Sequence, residues 1–167
     1  VLDRYNLYIP VWINHGVDLN YQKVGDYPKM YGDDPTHPCY HTDLISEFGF
    51  EFIWTGKVTH IIGQNGRRNF SILSKLLIQK ILKKIKYQHV KDPIYDDDNN
   101  LIKPLLLRDG NKKWEFVRFI NSWGNAGELD FYEFTSQMKE RNLKRLIKNQ
   151  GIMILYTHFN ENLDATI

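Results

Sequence analysis

Cysteine is nearly absent. Cys39 is the only one in 167 residues, so an internal disulfide and a cysteine-based zinc finger are both excluded, and the compartment stays open between cytoplasm and cell envelope. No apolar run approaches the roughly 20 residues needed to cross a bilayer, and no membrane span is expected. Charge of one sign is missing too: 22 lysines and arginines face 20 acids, a net charge of +2, which is far from the dense positive field of a nucleic-acid binder. No initiator methionine is present, and Val1 opens into Leu-Asp-Arg-Tyr-Asn-Leu, which reads as a helix end feeding a strand. The chain is therefore expected to be a fragment, with any leader upstream of it.

What is present suits a globular fold. Hydrophobic residues are 42% and aromatics 14%, enough for a core in one domain of this length. Residues 7 to 13 form a short apolar run of β-branched and aromatic side chains, the pattern of a buried strand, ended by Asn14-His15-Gly16. Residues 17 to 40 turn to Gly, Pro, Asp and Tyr without periodicity, a long loop of the kind that carries function. A short helix over residues 43 to 48, capped by Thr42 or Ser46 and stopped by Gly49, leads to a strand over residues 50 to 54. Residues 58 to 62 give a third strand.

Phe70, Leu73, Leu77, Ile81 and Ile85 recur at helical spacing, after Asn69 or Ser71 as cap. The helix is expected to pack on that side and to leave its lysines solvated. Asp109-Gly110 between two apolar stretches predicts a β-hairpin. A second amphipathic helix runs from Phe131 to Ile147 with Gly151 as its stop, and residues 152 to 156 follow as a last buried strand ending at Thr157-His158. Helix, glycine stop, apolar strand and trailing polar residue occur at 43 to 56 and again at 130 to 158. This alternation points to an α/β fold with parallel strands, whose reacting groups gather at the strands' C-terminal ends.

His15 and His158 each follow an apolar strand, and His37 and His41 lie in the loop between the first two strands, so all four imidazoles are candidates for one rim, to bind a metal or move a proton. His37 and His41 are four apart with Asp33, Asp34 and Asp43 nearby, an oxygen and nitrogen donor set, although Pro38 opposes a helix across the pair. His60 and His89 read as structural. Asp96-Asp97-Asp98-Asn99-Asn100 lacks the glycine and glutamate of an EF-hand loop and reads as a solvated loop. The four tryptophans read as core, with Trp54 at a strand end also placed to stack on a sugar ring.

These residues resemble the polysaccharide deacetylase family, metal-dependent carbohydrate esterases on a distorted (β/α) barrel. Ile152-Met153-Ile154-Leu155-Tyr156-Thr157-His158 looks like the family's last motif. Tyr40-His41-Thr42-Asp43-Leu44 with Phe48-Gly49-Phe50-Glu51-Phe52-Ile53-Trp54 is similar to its helix, glycine and tryptophan-ended strand. A second register sets His37-Pro38-Cys39-Tyr40-His41-Thr42-Asp43-Leu44 on the family's metal-binding pair, making His37 and His41 ligands. The family's strand ending in paired aspartates is not in this chain.

The resemblance implies a partial (β/α) barrel over residues 1–167, from which the insertion at about 57–127, with its hairpin, departs. It implies removal of acetyl groups from an N-acetylated sugar or cell-surface polysaccharide. A divalent metal, expected to be zinc, would activate water, and His158 would protonate the leaving amine. His15, Asp43 and Trp54 are the residues expected to meet the carbohydrate. Two other readings stand beside it: a carbohydrate-binding homologue without catalysis, and an unrelated α/β domain that uses its basic helix as a partner surface.

Overall fold

The computed structural model describes residues 9–14, 21–25, 29–67, 69–86, 96, 98–120 and 131–156, apart from the side chains of 82–86 and 131–133. In chain order the elements are β1 (Val11–Ile13), α1 (Thr42–Glu47), β2 (Phe52–Trp54), β3 (Val58–Thr59), α2 (Phe70–Lys86), β4 (Ile102–Leu106), β5 (Lys112–Phe116), β6 (Arg118–Phe119), α3 (Phe131–Gln137) and α4 (Glu140–Asn149). They divide into two compact units, Val1–Gly56 with Ile102–Phe116, and Lys57–Leu101 with Val117–Ile167. Among the described residues, no helix is long and apolar enough to cross a membrane.

The first unit is a four-stranded sheet in the order β1-β2-β5-β4. Strands β1, β2 and β5 are parallel, in a register that aligns Val11 with Phe52 and Phe52 with Trp114. Pro10 has no N–H, and its carbonyl accepts the N–H groups of both Glu51 and Phe52 at the start of β2. Strands β4 and β5 pair antiparallel across a turn in which Gly110 takes φ +86°, a conformation that favours glycine.

One face of this sheet is covered. Val24, Ile45, Ile53 and Leu107 form its core, with Trp12, Phe50 and Leu105 packed against them. Val11, Ile13, Ile102, Leu106 and Trp114 remain exposed. Along β1 and β4 exposure alternates, where the sequence reading expects β1 to be buried throughout, while β2 keeps both Ile53 and Trp54 buried.

Among the described residues helix α1 has no side-chain cap. Thr42, the expected cap, turns its hydroxyl to Asp109. Gly49, at φ +78°, ends the helix as anticipated.

In the second unit β3 and β6 pair in parallel, with Val58, Ile61, Ile62, Ile72, Leu101, Val117, Phe119 and Ile120 buried. Asn69 caps α2 by accepting the N–H of Ile72 at 3.0 Å. The buried side of α2 is not the stripe that periodicity selects. Ile72 and Gln79 are buried, while Phe70, Leu73, Leu77 and Ile81 are exposed. The Lys75 ammonium donates to the His60 carbonyl oxygen at 2.9 Å, and the Gln79 amide donates to that of Asp96.

The expected helix from Phe131 to Ile147 is two helices, because Lys139 is extended (φ −52°, ψ 143°) between α3 and α4. The left-handed stop is Gln150 (φ +51°) and not Gly151. Gly151 is needed for a different reason: a Cβ there would lie 2.4 Å from the backbone of Gly63. Beyond it, Gln64 and Ile152 form an isolated antiparallel bridge, and Ile152 is half-exposed, so the expected last buried strand is reduced to one bridging residue.

Candidate functional site

The long loop between β1 and β2 is fastened to its unit by buried polar side chains. Asn14, directly after β1, acts as a substitute strand: its amide donates to the Val24 carbonyl at 2.7 Å, and its oxygen accepts the Val24 N–H at 3.0 Å. Asp33 is 1% exposed and accepts from Arg108 through the backbone N–H and Nε, both at 3.0 Å, and through Nη2. Asp109 accepts from the Thr42 hydroxyl, from Asn111 twice at 2.9 Å, and from Tyr40 at 3.4 Å. Burial pulls the Asp109 carboxyl upward, but these hydrogen bonds outweigh it and hold it below the usual carboxylate range.

His37 and His41 are both oriented by Cys39, in opposite senses. The Cys39 N–H donates to His37 Nδ1 at 3.1 Å, so that nitrogen carries no proton, and in the neutral ring the proton sits on Nε2. His41 Nδ1 lies 3.0 Å from the Cys39 carbonyl oxygen, which only accepts, so Nδ1 carries a proton, and in the neutral ring Nε2 keeps the lone pair. His41 Nε2 is buried and has no hydrogen-bond partner among the described residues. An Nδ1–H held by a backbone carbonyl is the arrangement that presents Nε2 to a metal or a proton.

The His41 ring lies against Trp12, and Trp12 Nε1 is likewise buried without a partner among the described residues. Gly32 makes room for the imidazole, because a Cβ there would come within 2.6 Å of His41 Cε1 and 2.4 Å of the Gln22 carbonyl oxygen. His37 instead stacks on Tyr31, with centroids 4.2 Å apart and planes 14° from parallel.

The sequence-derived candidates therefore separate. His41 offers a lone pair, and His37 offers an N–H. Asp43 is exposed and accepts the Leu44 N–H at 2.8 Å. Trp54 is 9% exposed, leaving little ring for a sugar to stack on. His15 and His158 lie outside the described residues. Among the described residues no group of three or more His, Cys, Asp or Glu is placed to hold a metal. Asp33 and Asp109 are both held by the partners named above.

The loop is also tied to a particular end of the sheet. The turn carrying Arg108 and Asp109 precedes β5, so it marks the end where the parallel strands begin, and Asp33, Tyr40 and Thr42 dock there. Thr55, at the opposite end, donates to the buried Glu115. Sequence reasoning missed Trp12 and Gly32 as neighbours of His41. The available signal was a glycine nine residues before a histidine, which acquires meaning only from the contact. His60, read as structural, is 4% exposed and its Nδ1–H donates to the Ile120 carbonyl at 3.0 Å. No family model, curated protein or solved structure matches the chain.

Proposed function

We propose that the chain is part of a metal-assisted hydrolase that removes acetyl groups from an N-acetylated sugar or cell-surface polysaccharide, on a (β/α) barrel of the polysaccharide deacetylase type. The observation that carries this reading is the His41 imidazole, fixed through Nδ1 with a buried, unpartnered Nε2. Such a nitrogen suits a divalent ion of borderline softness such as zinc. When bound, the ion supplies Lewis acidity toward the acetamide carbonyl and toward water.

His41 is the ligand of the histidine pair in this proposal, because His37 would first have to release the Cys39 N–H or lose its Nε2 proton. His158 protonates the leaving amine nitrogen, and His15 and Asp43 meet the carbohydrate, whereas the buried Trp54 has no such part. The commitment of Asp33 to Arg108 and of Asp109 to Thr42 and Asn111 favours a second reading, a carbohydrate-binding homologue without catalysis.

Full-length protein assayed on acetylated chitooligosaccharide, with metal content measured in parallel, separates the two. The hydrolase reading expects His41→Ala to lose metal and turnover, and His158→Ala to keep metal but lose turnover. Metal-free wild type that binds the oligosaccharide without cleaving it establishes the binding reading. Turnover unchanged in both variants removes His41 and His158 from the chemistry.

A further inference from the structure

We propose that α2 is an interfacial helix that seats the second unit on an anionic lipid bilayer. Its exposed side is apolar. Phe70 is 86% exposed and Leu77 59%, with Leu73, Ile78 and Ile81 open to the same degree or slightly less. Their spacing of three, seven, eight and eleven residues from Phe70 puts all five on one side of a helix. The opposite side is engaged by the unit itself, through Ile72, Gln79 and the Lys75 ammonium. Ser74, the hydroxyl within the stripe, donates to the Ser71 carbonyl at 3.0 Å. The stripe thus offers aliphatic and phenyl surface with little polar detail for a folded partner to read.

Charge selects among occupants. The 17 residues of α2 include Lys75, Lys80, Lys83, Lys84 and Lys86 and no aspartate or glutamate; Lys75 is taken up by the His60 carbonyl, and the exposed Lys80 sits at the border of the stripe. A second copy meeting this helix stripe to stripe would bring two all-lysine helices together, and like charges at such an interface oppose association. Anionic headgroups complement them. A helix with one apolar side, lysine as its only charge and too little length and apolarity to cross a bilayer lies in the headgroup plane.

Sedimentation of the full chain with vesicles of phosphatidylcholine alone and of phosphatidylcholine with phosphatidylserine tests this. Binding is expected only with phosphatidylserine and is expected to weaken in high salt. Lys80→Glu should lower the partition coefficient by about fivefold or more, and Leu77→Asp should abolish binding while leaving the circular dichroism spectrum of this exposed-site variant unchanged. Should Leu77→Asp unfold, Lys80→Glu alone decides. Equal partition onto both vesicles, no partition onto either, or a lipid-free dimer that Leu77→Asp dissociates would each overturn the proposal.

Discussion

The imidazole of His41 and the indole of Trp12 lie with centroids 5.3 Å apart and planes tilted by 45°, and each presents a buried ring nitrogen without a hydrogen-bond partner among the described residues. In the neutral imidazole the first is an acceptor, and the indole N–H is a donor. Unpartnered buried polar atoms cost about 1–3 kcal/mol each, so this juxtaposition stores an unsatisfied demand in the core of the first unit. A ligand atom that meets His41 Nε2 relieves part of it, which links binding there to stability.

Gly32 is the steric condition for that arrangement. Gly32→Ala would push a methyl group into the His41 ring and into two backbone carbonyls. A loss of about 1–3 kcal/mol or more is expected in urea unfolding, together with a shift of the His41 ring resonances. Unchanged His41 resonances would show that the ring does not depend on this glycine.

Asp33 and Arg108 test how the long loop is held. The acid is buried and the guanidinium about one-third exposed, so removing the arginine side chain takes the countercharge from a buried carboxylate and leaves it the backbone N–H donors of Gly25 and position 108. Arg108→Ala is expected to cost about 3 kcal/mol, whereas Asp33→Asn, which keeps an acceptor oxygen, should cost less. Equal losses would mean that charge contributes little to the pair.

The second unit should lose stability in mild acid through His60. Burial, the largest effect, and the charge of Lys75 lower its pKa from 6.5 to about 4, against the opposing hydrogen bond to Ile120. Between those values the unfolded chain binds the proton and the folded chain does not, so stability falls as pH drops from about 6.5 to about 4 and levels off below. His60→Gln should flatten Tm against pH across that window. An identical slope in the variant would assign the acid sensitivity elsewhere.

Gly151→Ala should destabilise by at least about 2 kcal/mol, because the added methyl meets the Gly63 backbone at 2.4 Å. Gln150→Gly, at the left-handed position, should stabilise slightly, since φ +51° costs glycine nothing. Chemical denaturation of the two variants checks both signs.

Local signals were legible in the sequence, and signals that need a distant partner were not. Asp109-Gly110 announces its hairpin, Asn69 its cap and Gly49 its helix stop, each through chemistry confined to a few residues. The partnership of Asp33 with Arg108 spans 75 positions and left no local trace. Periodicity located α2 but not its buried side, because tertiary packing chose Ile72 and Gln79 over the more regular stripe. Gly151 looked like a helix stop and serves instead as a close approach to Gly63. For the site, spacing singled out His37 and His41, but it could not tell that one backbone residue, Cys39, would set them in opposite tautomers.

Long-range proton–nitrogen correlation of the His41 ring, recorded during a zinc titration of the full chain, tests the central claim most directly. The account predicts a proton on Nδ1, a bare Nε2, and a nitrogen shift at Nε2 that saturates with one zinc and is absent in His41→Ala. A proton found on Nε2, or a ring that zinc leaves unmoved, would contradict it.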